Sequence, residues 1–181
     1  DVAEGLLFLG ILARRSGDLT AAEDHLARGE QILRRLAPDS LDHGRFFQSL
    51  GNVAADRGEM ERAERLFRQA VAIYEKTVPE SNFLIGTLTN LANSAAQRGD
   101  LAAADDLFRR VLALQERTGS DELDRSAILT SLGYIASGRG DLEAAEAYYR
   151  RALAIAEKLA PEGGEIADSL SNLGSLAVLR G

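Results

Sequence analysis

The residues best suited to acid–base or metal chemistry are scarce in this chain. Its only two histidines, His25 and His43, lie on different predicted elements, and neither has a neighbour at metal-ligand spacing. The 181 residues contain no cysteine, which excludes disulfides and thiolate metal sites. No nucleophile, base and orienting group can be argued together from the sequence. We therefore expect no catalytic residue, no metal site and no cofactor, and we interpret both histidines as structural or surface residues.

Three short glycine strings resemble functional motifs. Gly138-Arg139-Gly140 has the spacing of a nucleotide loop, but no strand pattern precedes it. Arg98-Gly99-Asp100 and Arg139-Gly140-Asp141 have the letters of a cell-adhesion tripeptide. All three fall at one point of an internal repeat. There glycine ends a helix in the left-handed conformation and aspartate caps the next helix, so turn chemistry explains them.

A glycine every 41 residues sets the register of this repeat. The glycines are Gly17, Gly58, Gly99, Gly140 and Gly181. A leucine eight positions before the glycine and an alanine four positions before it recur in all five copies, and an alanine five positions after it recurs in the first four. The predicted repeats cover about 1–41, 42–82, 83–123 and 124–164, followed by a lone first helix over 165–181.

Each repeat has the apolar spacing of two helices. We predict first helices over 2–15, 42–56, 83–97, 124–138 and 165–179, and second helices over 19–36, 60–77, 101–117 and 142–159. A second break recurs at Pro38, Pro79, Ser120 and Pro161, where proline stops the second helix. Because one hairpin cannot cover its own apolar face, the repeats must stack. The predicted fold is all-α, a solenoid forming a single domain over 1–181.

Small, large and acidic residues have separate predicted roles. Gly51, Gly133 and Gly174, with Ala92 at the same position, are expected to let helices approach closely. The large side chains expected to fill the core are Phe67, Phe108 and Tyr149.

Acidic residues of the second helices are interspersed with arginines and predict a solvated convex face. They are Glu61, Glu64, Asp105, Asp106, Glu143 and Glu146.

Composition narrows the partners and the setting. A net charge of −7 argues against nucleic acid, whose phosphates favour a basic face. No apolar stretch approaches the roughly 18 residues of a membrane span. The absence of cysteine fits a reducing compartment, so we expect a cytoplasmic protein. Arginine far outnumbers lysine, which favours a bacterial source, and the abrupt start at Asp1 favours a fragment of a larger protein.

The repeat resembles the tetratricopeptide repeat (TPR). The second copy matches through Phe47, Leu50-Gly51, Ala54, Ala63, Phe67 and Ala70, and the fourth through Leu129, Leu132-Gly133, Ala136, Ala145, Tyr149 and Ala152. The tyrosine expected on the first helix is always alanine, and the period exceeds the usual repeat of about 34 residues. Such long repeats resemble the kinesin light chain group and its bacterial relatives, as does the segment 153–162, which reads Leu-Ala-Ile-Ala-Glu-Lys followed by Leu and then Ala-Pro-Glu. The resemblance implies a right-handed superhelix, and such bacterial arrays often accompany a kinase, protease or transcription-regulator domain.

The resemblance also implies a binding face, because first helices line the concave groove of this family. The residues that map to it are Arg45, Gln48, Ser49, Asn52, Asp56, Thr89, Asn90, Asn93, Gln97, Thr130, Ser131, Tyr134, Ser171, Asn172 and Ser175. Amide side chains there can pair with a peptide backbone of any sequence. Asn52 and Asn93, at one position of adjacent repeats, are the foremost candidates. The alternative is that these asparagines bridge neighbouring helices or face water.

Two functions remain open at this stage. The first is a protein–protein interaction scaffold that binds a peptide or partner helix in the concave groove. The second is an architectural or regulatory arm of a larger multidomain protein. At the first repeat the groove face is apolar (Leu7, Phe8 and Ile11), which predicts either an apolar pocket or a surface covered by a preceding segment. Exposed apolar side chains on the first repeat and on the last helix also predict that the chain associates with itself.

Overall fold

The computed structural model describes residues 2–119, 121–160 and 162–180, and there it consists of helices joined by short turns. The helices are α1 (Val2–Arg15), α2 (Leu19–Leu36), α3 (Leu41–Asp56), α4 (Met60–Thr77), α5 (Asn82–Gln97), α6 (Leu101–Thr118), α7 (Glu122–Gly138), α8 (Leu142–Leu159) and α9 (Gly164–Arg180). The predicted all-α fold of helical hairpins is confirmed, and the predicted helix bounds agree within two residues. Ser120, Pro161 and Gly181, which the repeat register singled out, lie outside the described residues.

The turn inside each hairpin has the predicted chemistry. Gly17, Gly58, Gly99 and Gly140 have φ angles of 85°, 79°, 82° and 80°. This left-handed conformation is strained for a residue with a Cβ atom. In three of these turns an aspartate side chain accepts a hydrogen bond from a backbone N–H of the following helix, as Asp18 does from Ala21 at 2.9 Å.

The turns between hairpins depend on serine as well as proline. Helices α2 and α4 end two residues before Pro38 and Pro79, in agreement with the prediction. Helices α3 and α5 then follow the N-cap residues Ser40 and Ser81, whose hydroxyls accept hydrogen bonds from the N–H groups of His43 and Leu84, both at 3.2 Å. The sequence reasoning missed these serine caps.

The helices form two compact units, Asp1–Arg98 and Gly99–Gly181. In unit 1, α1 packs on α2, α2 on α3, α3 on α4, and α4 on α5; in unit 2, α6 packs on α7, α7 on α8, and α8 on α9. Consecutive packing of this kind is the expected order in a stacked repeat. The single continuous domain over 1–181 stays a prediction.

Two glycines on first helices leave room for an aromatic ring of the paired second helix, and we call these places glycine notches. A Cβ atom on Gly51 would lie 2.5 Å from the Phe67 ring, and one on Gly133 would lie 2.5 Å from the Tyr149 ring. Since neither ring could come so close to a larger residue, glycine is required at both places. The expectation for Gly174 was wrong, because nothing lies within 4 Å of the place its Cβ would occupy.

An acid–arginine clamp joins successive hairpins, and it corrects the predicted solvated face for Glu64, Asp105 and Glu146. The other three acidic residues of that prediction, Glu61, Asp106 and Glu143, are exposed as predicted. An acidic residue on each second helix pairs with the arginine at the end of the next first helix. The pairs are Glu23 with Arg57, Glu64 with Arg98, Asp105 with Arg139, and Glu146 with Arg180. Glu64 and Asp105 are buried, at 2% and 7% exposure. A buried carboxylate needs such a partner, so these residues are structural.

A second arginine completes each clamp. Arg68, Arg109 and Arg150 bind the acid four residues earlier on their own helices. In the first repeat that position is Ala27, and Arg62 of α4 binds Glu23 instead. Hydrogen bonding by Arg62 lowers the pKa of Glu23, although partial burial opposes the shift. Each acid therefore lies between two guanidinium groups.

Candidate functional site

Three adjoining hollows lie along the first helices of unit 1, and together we call them the unit 1 groove. The first hollow, about 470 Å³, is lined by Glu4, Gly5, Leu7, Phe8, Ile11 and Arg45, and we call it the apolar hollow after its three large apolar side chains, although two charged residues also line it. The middle hollow, about 240 Å³, shares Leu7, Ile11 and Arg45 with it. The polar hollow, about 320 Å³, shares Arg14 and Asn52 with the middle hollow. The groove thus passes from an apolar end on α1 to a polar end on α3 and α5.

Most of the predicted unit 1 residues line this groove. They are Arg45, Gln48, Ser49, Asn52, Asp56, Asn90, Asn93 and Gln97. Thr89 does not line any of the three hollows, and its hydroxyl donates to the Ile85 carbonyl of its own helix at 3.0 Å. Helical spacing brings the other side chains to one face, since residues three or four apart are neighbours on a helix.

The two foremost asparagines are in different situations. Asn90 Nδ2 donates a hydrogen bond to Asn52 Oδ1 at 2.9 Å and so joins α5 to α3. Asn93, at the register position of Asn52, is exposed and contributes to the polar hollow. The bridging alternative therefore describes Asn52, whereas Asn93 faces the groove opening.

Gln48 is fixed in the middle hollow by a buried tyrosine. The Tyr74 hydroxyl donates to Gln48 Oε1 at 3.1 Å. Burial raises the pKa of Tyr74 above its ordinary value, so the phenol stays protonated and remains a donor. A Gln48 side chain held in this way presents its amide group in a defined direction.

The charged residues of the groove are paired. Arg14 of α1 donates to Asp56 of α3 at 2.8 Å. Arg45 donates to Asp42 at 3.0 Å, one turn earlier on α3. Such partly exposed pairs contribute only about 0–1 kcal/mol to stability. Breaking such a pair therefore costs little.

The apolar start of the groove is partly core. Leu7 is 3% exposed and belongs to a core cluster with Leu26 and Phe46, whereas Phe8 is 65% exposed. Phe8 is the exposed apolar side chain of the hollow on this face. The alternative that a preceding segment covers the face stays a prediction. The sequence reasoning missed Arg14 and Phe83 in the middle hollow. The repeat register could not reveal these two residues, because the middle and polar hollows combine side chains from several helices.

The predicted residues of unit 2 lie on α7 and α9. Thr130 and Ser131 donate their hydroxyl hydrogens to the carbonyls of Ser126 and Ala127, each one turn earlier. Tyr134 is highly exposed. On α9, Ser171 and Ser175 are exposed and Asn172 is half-buried. A role for these side chains in binding stays a prediction.

His43 has a structural environment. Its Nε2 lies 3.0 Å from Glu30 Oε1, and its Nδ1 accepts a hydrogen bond from the Asp39 N–H at 3.3 Å. Both ring nitrogens of this buried residue are therefore engaged. Within the described ranges, no group of three or more His, Cys, Asp or Glu residues could hold a metal ion. In the same ranges, no helix is long and apolar enough to cross a membrane.

Stacked hairpins, glycine notches and a groove along the first helices define a helical repeat protein. The sequence matches the tetratricopeptide repeat family over residues 1–76 and 83–158. The chain therefore belongs to the tetratricopeptide repeat family, whose repeats typically mediate protein–protein interactions and are generally not enzymes. No curated protein matches the sequence.

Several solved structures share the fold. BtubC (BKLC) from P. vanneervenii has a TM-score of 0.84 and 22% identity, with 96% of this chain and 70% of BtubC covered. A kinesin light chain of Podosopora anserina with nearly identical TPR-like repeats has a TM-score of 0.81 and 21% identity, with 96% of this chain and 84% of that chain covered. The apo form of RapI has a TM-score of 0.84 and 15% identity, with 97% of this chain and 48% of RapI covered. At these identities the likeness concerns the fold alone.

Proposed function

We propose that the unit 1 groove binds a peptide segment or a helix of another protein, so that the chain acts as an interaction scaffold. The observation that carries this proposal is the series of adjoining hollows on three successive first helices. An apolar hollow at one end suits a large side chain of a ligand. Amide side chains at the other end suit the polar backbone of a ligand.

The asparagine pair supports recognition of a peptide backbone. A carboxamide has two N–H donors and one acceptor oxygen. The single bond from Asn90 to Asn52 uses one donor and part of one acceptor, so both side chains keep further hydrogen-bonding capacity. Because Asn52 is held in place by this bond, less conformational entropy is lost when a ligand binds.

A displayed peptide library, selected on the immobilised chain, provides ligands for a direct test. Binding of the best peptide is measured by calorimetry for the wild type and for Asn52→Ala combined with Asn93→Ala. We expect the double variant to bind about tenfold more weakly or worse, because two groove amides are lost. Gln69→Ala, an exposed amide on α4 outside the groove, is the matched control and should bind like the wild type.

Gln69→Ala should retain the wild-type thermal melt. The double variant should melt within a few degrees of the wild type, because it loses one partly exposed hydrogen bond between α3 and α5. Wild-type affinity in the double variant would contradict the groove proposal. A selection that yields only peptides insensitive to Asn93 would restrict binding to the apolar end.

A role as an architectural arm is the second candidate, and uncovered apolar side chains favour it. Leu170, Val178 and Leu179 of α9 are all exposed. Sedimentation equilibrium separates the two candidates. A mass that grows with concentration and returns to the monomer in Leu170→Ser with Leu179→Ser would favour self-assembly. A concentration-independent monomer that binds selected peptides would favour the scaffold.

A further inference from the structure

A second concave surface lies on unit 1, apart from the groove. We call it the α1–α2 cleft. It has a volume of about 450 Å³ and is lined by Val2, Leu6, Arg28, Gln31, Ile32, Arg35 and Leu36. None of these residues lines the three hollows of the unit 1 groove. The cleft therefore needs its own explanation.

Residues on this face of α1 are exposed, although residues at the same register positions of later first helices are buried. Val2 is 72% exposed, whereas His43 and Leu84, at the same position in α3 and α5, are 5% and 1% exposed. Leu9 and Leu12 are likewise exposed on α1, while Leu50 and Val53 are buried on α3. Exposed apolar side chains grouped in this way mark an interaction surface.

The chain itself contains an example of how such a face is covered. Helix α2 packs on α3, and it carries Glu23 and Glu30, seven residues apart. Glu30 contacts His43, and Glu23 pairs with Arg57 and with Arg62. A covering helix in this protein thus combines apolar side chains with two carboxylates that bind basic groups of the next hairpin.

In the repeat register the positions of His43, Arg57 and Arg62 are occupied by Val2, Ser16 and Ala21, so the basic groups of the α1–α2 cleft come from other positions. Arg28 and Arg35 are exposed and also seven residues apart on α2, which places them roughly 10 Å apart along one side of the helix. Arg28 forms a loose exposed pair with Asp24, at 3.6 Å. Ile32 lies between the two arginines, and Leu36 follows them, 77% exposed. The pattern is complementary to an acidic amphipathic helix.

A second copy of the chain fits this face less well. Every later first helix ends with the arginine that clamps an acid of the preceding hairpin, as Arg57 does with Glu23. At that position α1 is followed by Ser16. A hairpin of the chain's own kind would therefore lack its clamp when stacked on α1.

We propose that the α1–α2 cleft docks an amphipathic helix of another protein that carries two carboxylates seven residues apart beside an apolar stripe. The apolar stripe covers Val2, Ile32 and Leu36, and the two carboxylates pair with Arg28 and Arg35. This site is independent of peptide binding in the unit 1 groove.

The probe is a fluorescein-labelled 18-residue helical peptide with leucines on one face and two glutamates seven residues apart beside them. Its binding is followed by fluorescence anisotropy. We expect binding to the wild type and a loss of about tenfold or more in Arg28→Glu with Arg35→Glu, because attraction becomes repulsion. Arg110→Glu with Arg117→Glu is the matched control. These exposed residues occupy the same two register positions on α6, and their replacement should leave the affinity unchanged.

A second peptide, with one glutamate moved two residues so that it leaves the face, should bind as weakly as the double variant. Leu36→Ser should weaken the first peptide on its own, whereas Leu159→Ser at the same register position should not. Equal binding to the wild type and to Arg28→Glu with Arg35→Glu would overturn the proposal. So would self-association of the wild type that the same double variant abolishes, since the occupant would then be a second copy.

Discussion

Helices α7 and α9 belong to the same unit and occupy the same register position in their repeats, yet they are buried very differently. Leu129 of α7 is 0% exposed, whereas Leu170, its equivalent on α9, is 53% exposed. Gly133 of α7 faces the Tyr149 ring, while Gly174 of α9 faces open space. Helix α7 packs on both α6 and α8, and α9 packs on α8. The repeat sequence thus specifies the shape of a contact, and a neighbouring helix is needed to form it.

The largest expected difference concerns the two leucines. Leu129→Ala removes a fully buried side chain and should lower the free energy of unfolding by about 2–5 kcal/mol. Leu170→Ala should change it by no more than about 0.5 kcal/mol, since half of that side chain already contacts water. Urea unfolding followed by circular dichroism measures both. Equal losses would show that α9 is covered in solution, by a second copy.

The two glycines should give effects of opposite sign. Gly133→Ala places a Cβ atom against the Tyr149 ring and should cost about 1–3 kcal/mol. Gly174→Ala meets no neighbour and should stabilise α9 by about 0.5–1 kcal/mol, because alanine favours the helix. The same unfolding measurement decides. A destabilising Gly174→Ala would mean that some group occupies the open notch in solution.

Helix bounds and turns could be predicted from the sequence because they depend on local chemistry. The left-handed glycine at Gly58 and the cap at Asp18 follow from residue type alone. The buried state of Asp105 could not be read from its own helix, since the partner that stabilises it, Arg139, lies 34 residues later. The signal was nevertheless present, because the acid and the arginine each recur at one position of the register.

The candidate groove was predictable only in outline. Its residues follow from the resemblance, which assigns the first helices to the concave face. The sequence allowed Asn52 to bridge neighbouring helices but did not identify Asn90 as its partner, because the register pairs Asn52 with Asn93 and does not give the offset between the helices. The α1–α2 cleft was also missed. Apolar residues of α1 look the same in sequence whether or not another helix covers them.

The smallest expected difference concerns the clamp arginines at the ends of α7 and α9. In Arg139→Ala the buried Asp105 keeps its pair with Arg109, which lies 2.8 Å away. Arg180→Ala leaves Glu146 with Arg150 in a more exposed setting. We expect a loss of about 1 kcal/mol for Arg139→Ala and less than that for Arg180→Ala, because water can solvate Glu146 more easily. Urea unfolding in low and in high salt measures both losses.

High salt should reduce the loss from Arg180→Ala more than the loss from Arg139→Ala, since exposed charges are screened and buried ones are not. Removing the acid together with its arginine tests the cause. Asp105→Asn with Arg139→Gln should cost less than the sum of the two single changes if the clamp is a coupled pair. Strict additivity would mean that Arg109 alone neutralises Asp105, and the contrast between α7 and α9 would then depend on the apolar contacts and the glycine notch.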